Sequence, residues 1–292
     1  MSPPGRPKGE YRSAQREGTP LTVSVRQALA QSGLVPIDGQ VLLAHALQRD
    51  RAWLAAHGHD EIAREQAEAF FALAKRRRDG EPVAYLTGAR EFWGLSLAVT
   101  RDVLIPRPET ETLVELALAW LPRDRPVRVL DLGTGSGAIA LAIASERPQA
   151  HVVATDGSGA ALAVARGNAQ RIALSSVEFV EANWYDGVPG PSFDMIVSNP
   201  PYVAIGDPHL TEGDLRFEPA AALASGVDGL AALRTIIDGA RARIAPGGAL
   251  IVEHGFAQSA EVQDLLRDAG FAEITARRDL AGIARVAAGR CC

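Results

Sequence analysis

The sequence predicts an α/β fold: a mostly parallel sheet of seven strands covered by helices on both faces, with a small N-terminal helical domain joined to it by a β-hairpin. Three observations carry that expectation. Short apolar runs alternate with helical stretches from Val127 to the C-terminus. Residues 21–81 instead show apolar side chains at roughly 3- and 4-residue spacing. Between them lies a glycine-punctuated, alternating stretch, 82–104.

In chain order, residues 1–20 hold Pro3, Pro4, Pro7 and several charges with almost no apolar content, and read as a disordered lead-in. Val25, Leu29, Leu34, Val41, Leu42, Leu47 and Leu54 set the helical period of the next segment. A further helix over 63–78 ends in Lys75, Arg76, Arg77 and Arg78, a charge placement that suits the helix dipole, and Gly80 stops it. The alternation of Phe92 to Val99 after Gly88 gives the hairpin. Pro108 opens another helix, with Glu109 and Glu111 in its first turn. Strands are expected at 127–131, 151–155, 177–181, 193–198 and 248–253, and weaker ones near 272–277 and 283–287. The helices between them fall at 137–145, 158–171, 228–243 and 258–268.

Composition narrows the function classes. The chain has 292 residues, 47% hydrophobic and 22% charged, which suits a globular protein with a large core. Its net charge of −5 argues against a protein that lives on naked nucleic acid. No apolar run reaches 18 residues, so neither a membrane span nor a secretory signal is expected. The only cysteines, Cys291 and Cys292, are adjacent and unsuited to a disulfide framework or a metal site, which points to a reducing cytoplasm.

The first predicted strand ends in Asp131-Leu132-Gly133-Thr134-Gly135-Ser136-Gly137-Ala138. Glycines there permit a tight turn and close approach of a ligand to the backbone, and the following helix aims its N–H groups at the same place. Asp156 ends the next strand, placed to accept from ribose hydroxyls. Together these residues point to an adenosine-type cofactor. Gly133-x-Gly135-x-x-Ala138 also fits the loose dinucleotide fingerprint, so spacing leaves a nicotinamide open. Trp184, after the third strand, is a candidate wall for an adenine.

The loop after the fourth strand separates those cofactors. Asn199-Pro200-Pro201-Tyr202 must leave the sheet, because two prolines lack N–H groups and fix φ. Such a corner can hold a planar amide or amine: the Asn199 oxygen and the Pro200 carbonyl accept from an NH2 group, and Tyr202 packs on its face. That arrangement suits methyl transfer from a sulfonium and offers no group arranged for hydride chemistry.

With these residues in place, the chain resembles the class I S-adenosylmethionine-dependent methyltransferases, and more narrowly the peptide-chain release factor glutamine N5-methyltransferases. The resemblance spans about 28–289. It rests on Pro82-Val83-Ala84-Tyr85-Leu86-Thr87-Gly88, Ile105-Pro106-Arg107-Pro108-Glu109-Thr110-Glu111, the glycine turn, Asn199-Pro200-Pro201-Tyr202, Glu218-Pro219 and Asp279-Leu280-Ala281-Gly282 with Arg285-Val286. The Asn-Pro-Pro-Tyr corner alone is shared with adenine-N6 nucleic-acid methyltransferases, and ribosomal-protein glutamine methyltransferases are similar too. The stretch from Arg107 to Glu111 separates the release-factor group.

The resemblance implies a Rossmann-like methyltransferase domain over 105–292 and a cofactor, S-adenosyl-L-methionine, left as S-adenosyl-L-homocysteine. It implies that Gly133, Thr134, Gly135, Ser136, Gly137, Asp156, Trp184 and Asn199 hold that cofactor. Asn199, Pro200, Pro201 and Tyr202 would hold the glutamine, and the N-terminal domain would help grip a class I release factor whose Gly-Gly-Gln loop reaches into the cleft. No metal and no direct nucleic acid are implied. Asn183 departs from the pattern, standing where relatives often have Asp. His254, at a strand end, reads as a packing or surface residue.

Overall fold

The computed structural model describes residues 23–291. The lead-in expected over 1–20 and Cys292 lie outside the described residues. Two compact units divide at Asp79/Gly80.

The N-terminal unit is four helices, α1 (Val25–Gln31), α2 (Pro36–Leu47), α3 (Arg51–Ala56) and α4 (Arg64–Arg78), with a short antiparallel pair of β1 (Val23–Ser24) and β2 (Glu61–Ile62). Ser24 and Gln27 form a reciprocal capping box, and Asp50 caps α3 by accepting from the Trp53 N–H at 2.6 Å. Leu42, Leu43, Phe70 and Ala74 are fully buried between the helices. The basic end of α4 is partly internal: Arg77 Nε donates to Asp38 Oδ2 at 2.7 Å, and Arg78 donates to the Ser32 carbonyl.

The second unit opens with α5 (Val83–Thr87), so the first residues of the stretch expected as a hairpin are helical. The hairpin itself is β3 (Ala89–Phe92) with β4 (Leu95–Ala98), turning at Trp93-Gly94. Pro108–Thr110 is one 3-10 turn that leads into α6 (Glu111–Trp120). Strands and helices then alternate: β5 (Val127–Leu132), α7 (Ala138–Glu146), β6 (Ala150–Asp156), α8 (Gly159–Arg171), β7 (Val177–Glu181), β8 (Phe193–Ser198), α9 (Ala231–Ala240), β9 (Ile244–Glu253), α10 (Ser259–Asp268), β10 (Phe271–Arg278) and β11 (Ala284–Cys291).

The sheet has seven strands in the order β10-β11-β9-β8-β5-β6-β7. The pairs from β9 to β7 are parallel, and β11 lies antiparallel to both β9 and β10. Both faces are buried. Residues of α6 and α7, including Leu113, Leu141 and Ile143, pack on one face, and Leu233, Ile236, Ile237 and Leu266 of α9 and α10 pack on the other. Covering both faces explains why β5, β6 and β8 read as continuous apolar runs.

Asn168 of α8 holds the hairpin to this scaffold. It is fully buried, its Oδ1 accepts from Ala98 N at 2.7 Å, and its Nδ2 donates to the Ala98 and Ser136 carbonyls at 3.0 and 2.8 Å. Replacing Asn168 by Leu strands three backbone groups, so the expected loss is about 2–4 kcal/mol in urea unfolding. A loss below about 1 kcal/mol would show that water replaces the amide.

Candidate active site

Strand order reverses on either side of β5, which opens a crevice beyond the carboxyl ends of β5, β6 and β8. A cavity of about 500 Å³ occupies it, within the range of small-molecule sites. Gly133, Thr134, Gly135 and Ser136 line it from the turn after β5, Asp156 and Ser158 after β6, Asn183 and Trp184 after β7, and Asn199 and Pro201 after β8. Further parts of the wall are Asp102, Val103, Leu104, Pro106, Arg107, Thr110, Pro219, Ala221 and Ala222.

The turn is tied down on all sides. Thr134 N donates to the Thr155 carbonyl and Gly137 N to the Thr134 carbonyl, both at 2.8 Å. Gly135 has φ +56, and a Cβ there would meet no protein atom within 4 Å. The glycine is therefore required by its backbone and leaves that part of the wall bare. Gly137 does not line the cavity: it has φ +86, and a Cβ would press on Leu141 Cδ1 at 3.0 Å. Its part is to let α7 start close against α8.

Asp156 supports the same turn. Its Oδ2 accepts from Gly135 N and its Oδ1 from Ser158 N, each at 2.9 Å, which leaves each oxygen a further lone pair. Asp131 lies near the end of β5. It is fully buried, and its Oδ2 accepts from the Thr134 hydroxyl at 2.6 Å. Burial raises its carboxyl to about 7, opposed by that hydroxyl. Trp184 has φ +50, a left-handed conformation uncommon for a large side chain, in a turn closed by Asp186 N donating to the Asn183 carbonyl at 3.0 Å. A Cβ on Gly133 would lie 3.9 Å from Trp184 Cζ3, so the indole stands beside the glycine turn.

At the fourth strand, the Ser198 hydroxyl donates to the Leu132 carbonyl at 2.7 Å and fixes the strand end. Asn199 Nδ2 donates to Thr110 Oγ1 at 3.0 Å. Asn199 Oδ1 is buried with no hydrogen-bond partner, a costly state for an acceptor. Pro200 is buried and does not line the cavity. Tyr202 also stands behind the wall. Its ring packs among the α9 and α10 core and its hydroxyl donates to Glu253 Oε1 at 3.1 Å, so in this state it is held by a carboxyl rather than laid across the cavity. Burial pushes the Tyr202 hydroxyl well above its ordinary range. The cavity thus collects Gly133, Thr134, Gly135, Ser136, Asp156, Trp184, Asn199 and Pro201, with Gly137, Pro200 and Tyr202 behind them.

Two further ties shape the wall. Arg107 pairs with Glu218, whose side chain is wholly buried, and Glu218 Oε2 accepts from Ile105 N at 3.3 Å. Both residues stand in motifs visible in the sequence, but their pairing spans 111 positions. His254 is fully buried, and burial lowers its pKa, which fits a packing residue.

Known proteins resemble this chain in sequence and in fold. Residues 111–216 match the family described as methyltransferase small domain, and 21–88 match the PrmC N-terminal domain. A release factor glutamine methyltransferase of Xylella fastidiosa is 54% identical over 264 residues, 90% of this chain and 96% of that protein. The chain belongs to the release factor glutamine methyltransferase family. The family protein of Escherichia coli is 46% identical over 253 residues, 87% of this chain and 91% of that one. A methyltransferase from Pyrococcus furiosus (TM-score 0.51, 18% identity) covers 68% of this chain and 88% of its own. A 16S rRNA methyltransferase from T. thermophilus (TM-score 0.53, 20% identity) covers 70% and 50%. These two solved structures share the sheet fold of this family member.

Proposed function

We propose that the protein methylates the side-chain amide nitrogen (N5) of the glutamine in the Gly-Gly-Gln motif of class I peptide-chain release factors. The observation that carries this reading is Asn199 Oδ1, an acceptor left without a partner in the wall of the cavity that the glycine turn shares. An amide NH2 is a group that such an acceptor lacks.

The donor we assign is S-adenosyl-L-methionine, with S-adenosyl-L-homocysteine as product. The residues present fit it: a bare wall at Gly135, spare lone pairs on Asp156 for ribose hydroxyls and the Trp184 indole for an adenine. When bound, it supplies an electrophilic methyl group on a sulfonium. Asp156→Ala removes that acceptor and loosens Gly135, so donor affinity should fall by about 10- to 100-fold in calorimetry. Unchanged affinity would remove Asp156 from the donor site.

A glutamine nitrogen is a weak nucleophile because its lone pair is delocalised into the carbonyl. Asn199 orients it by accepting one N–H and favours positive charge developing on the nitrogen. Pro201 bounds the space beside it. No side chain is assigned as general base. Glu253, the buried carboxyl nearest in sequence to the end of the adjoining strand, does not line the cavity, so the proton leaves to water.

The N-terminal helical unit is assigned to holding the release factor, and the reaction to the cytoplasm. Mass spectrometry of the Gly-Gly-Gln peptide after incubation of release factor, donor and enzyme tests the reading. One added methyl group on the glutamine is expected. Label transferred to DNA but not to release factor would replace this reading with an adenine-N6 activity.

A further inference from the structure

Among the described residues of the second unit, the large apolar side chains left exposed are Ile205, Val227, Phe256, Leu280 and Ile283. Single exposed apolar residues are ordinary on a protein surface, and it is their gathering in one place that carries meaning. Ile205 and Val227 stand on the loop after β8, and Phe256 on the loop after β9. Leu280 and Ile283 stand on the turn from β10 to β11, which reaches the same edge of the sheet because β11 runs antiparallel to β9. The opposite end of the sheet exposes charge instead, as Arg123, Asp124 and Arg125 do ahead of β5.

Hydrogen bonds join these loops to one another and to the cavity. Ala222 lines the cavity, and the next carbonyl, that of Leu223, accepts from Val203 N at 2.9 Å. Ile205 N donates to the Gly226 carbonyl at 2.8 Å, which sets Ile205 beside the backbone that carries Val227. Gln258 Nε2 donates to the Tyr202 carbonyl at 3.1 Å, and its Oε1 accepts from Gly255 N at 2.8 Å. The turn that carries Phe256 is thus fastened to the Asn-Pro-Pro-Tyr corner. Next along the edge, His254 N donates to the Arg285 carbonyl at 2.9 Å and Asp279 N to the Ile283 carbonyl at 2.8 Å. Three strand spacings separate β8 from β10, about 14 Å in all, so the five side chains rise from one short stretch of edge. The carboxylates among them are already paired, Asp228 with Arg234 at 2.6 Å and Asp279 with Arg285 at 3.2 Å.

We propose that this apolar rim is a docking surface for the substrate protein, and that apolar side chains flanking the Gly-Gly-Gln loop of the release factor rest on it. On the reading given above, the methyl acceptor is one side chain of a folded protein. A protein that sends a side chain into the cavity also covers the surface next to it, and the rim continues that surface from Ala222 and the Asn-Pro-Pro-Tyr corner outward. An apolar face with its carboxylates internally paired suits a partner with apolar side chains of its own. A nucleic-acid substrate draws its affinity from cations set against phosphates, which these five side chains do not supply. The inference rests on the glutamine reading and adds the surface that presents the glutamine.

The test measures kcat and KM for full-length release factor, and donor affinity by calorimetry, in wild type, Phe256→Ser, Leu280→Ser, Phe256→Leu and Leu280→Met. These side chains are exposed, so their replacement leaves the core intact. Each serine variant should raise KM for the release factor about tenfold, the size expected when one apolar anchor is lost. Saturated turnover and donor affinity should stay within about twofold, because the rim binds substrate and transition state alike. Phe256→Leu and Leu280→Met keep apolar area and should stay within about threefold of wild type in KM. Unchanged KM in both serine variants, with wild type active on the release factor, overturns the docking surface and leaves the glutamine reading intact. So does a wild-type chain that dimerises in sedimentation and turns monomeric in Leu280→Ser with KM unchanged, which would assign the face to a second copy. Wild-type enzyme that fails to methylate the release factor overturns both.

Discussion

Asn199→Ala is expected to lower methyl transfer to release factor by on the order of 10²–10³-fold while changing donor affinity by less than about fivefold. The separation follows from where the two halves of the side chain point. Nδ2 is tied to Thr110, and Oδ1 is buried with no hydrogen-bond partner in a residue that lines the cavity. Removing Oδ1 removes a buried side-chain acceptor of this corner that has no hydrogen-bond partner. The donor-side residues, the glycine turn and Asp156, are held by their own hydrogen bonds to Thr155 and Ser158 and do not depend on Asn199. Asn199→Asp keeps an acceptor, and Thr110 can donate to it, so it should retain more activity than Asn199→Ala. Single-turnover assays with labelled donor, alongside calorimetry, separate the two effects. Unchanged turnover in Asn199→Ala would remove the carboxamide from the reaction.

The architecture was legible because its signals are local. Parallel strands buried on both faces leave apolar runs, and each expected strand or helix from Val127 onward has a counterpart within a few residues. Elements shifted where glycine or proline sits: β9 starts at Ile244 and runs through Pro246-Gly247-Gly248, ahead of the expected 248. The direction of the last two strands was not legible. Nothing local in 271–291 says that the last two strands run antiparallel to their neighbours, since that depends on which edge the chain returns to.

The site divides in the same way. Backbone rules place a tight turn at Gly133-Gly135 and a corner at Pro200-Pro201, and both positions border one cavity. Partners distant in sequence were invisible. Thr110 meets Asn199 across 89 positions, Glu253 meets Tyr202 across 51 and Asn168 meets Ala98 across 70. Tyr202 shows the consequence. A ring beside an Asn-Pro-Pro corner reads as a substrate platform until its hydroxyl is seen to have a buried carboxyl to satisfy. The glycines differ too. Gly135 borders open space while Gly137 abuts Leu141, a difference that identical residue types cannot announce.

Arg107→Leu is expected to destabilise the second unit by about 3–5 kcal/mol near pH 8, more than Glu218→Gln, which should cost about 1–2. The pair is asymmetric: the Glu218 side chain is 0% exposed and that of Arg107 is 30% exposed. Loss of the arginine leaves a buried carboxylate with Ile105 N as its remaining partner, whereas loss of the carboxylate leaves a guanidinium that water can reach. Burial already raises the Glu218 pKa against the opposing pull of Arg107. Without Arg107 it rises further, so the folded state binds the proton more tightly than the unfolded one. Stability of Arg107→Leu should then fall as pH rises from the unfolded carboxyl value, about 4.3, through the raised folded value, while below both values the penalty shrinks. Glu218→Gln removes that proton, and because the wild-type carboxyl is itself raised, its loss relative to wild type should be no larger at pH 8 than at pH 5, the opposite trend to Arg107→Leu. Urea unfolding of both variants at those two pH values measures the difference. Pro106, Arg107, Pro219 and Ala221 all line the cavity, so donor affinity should weaken in both variants together with the wall. Equal losses that do not change with pH would mean that water already solvates Glu218 and that the pair does not hold the wall in place.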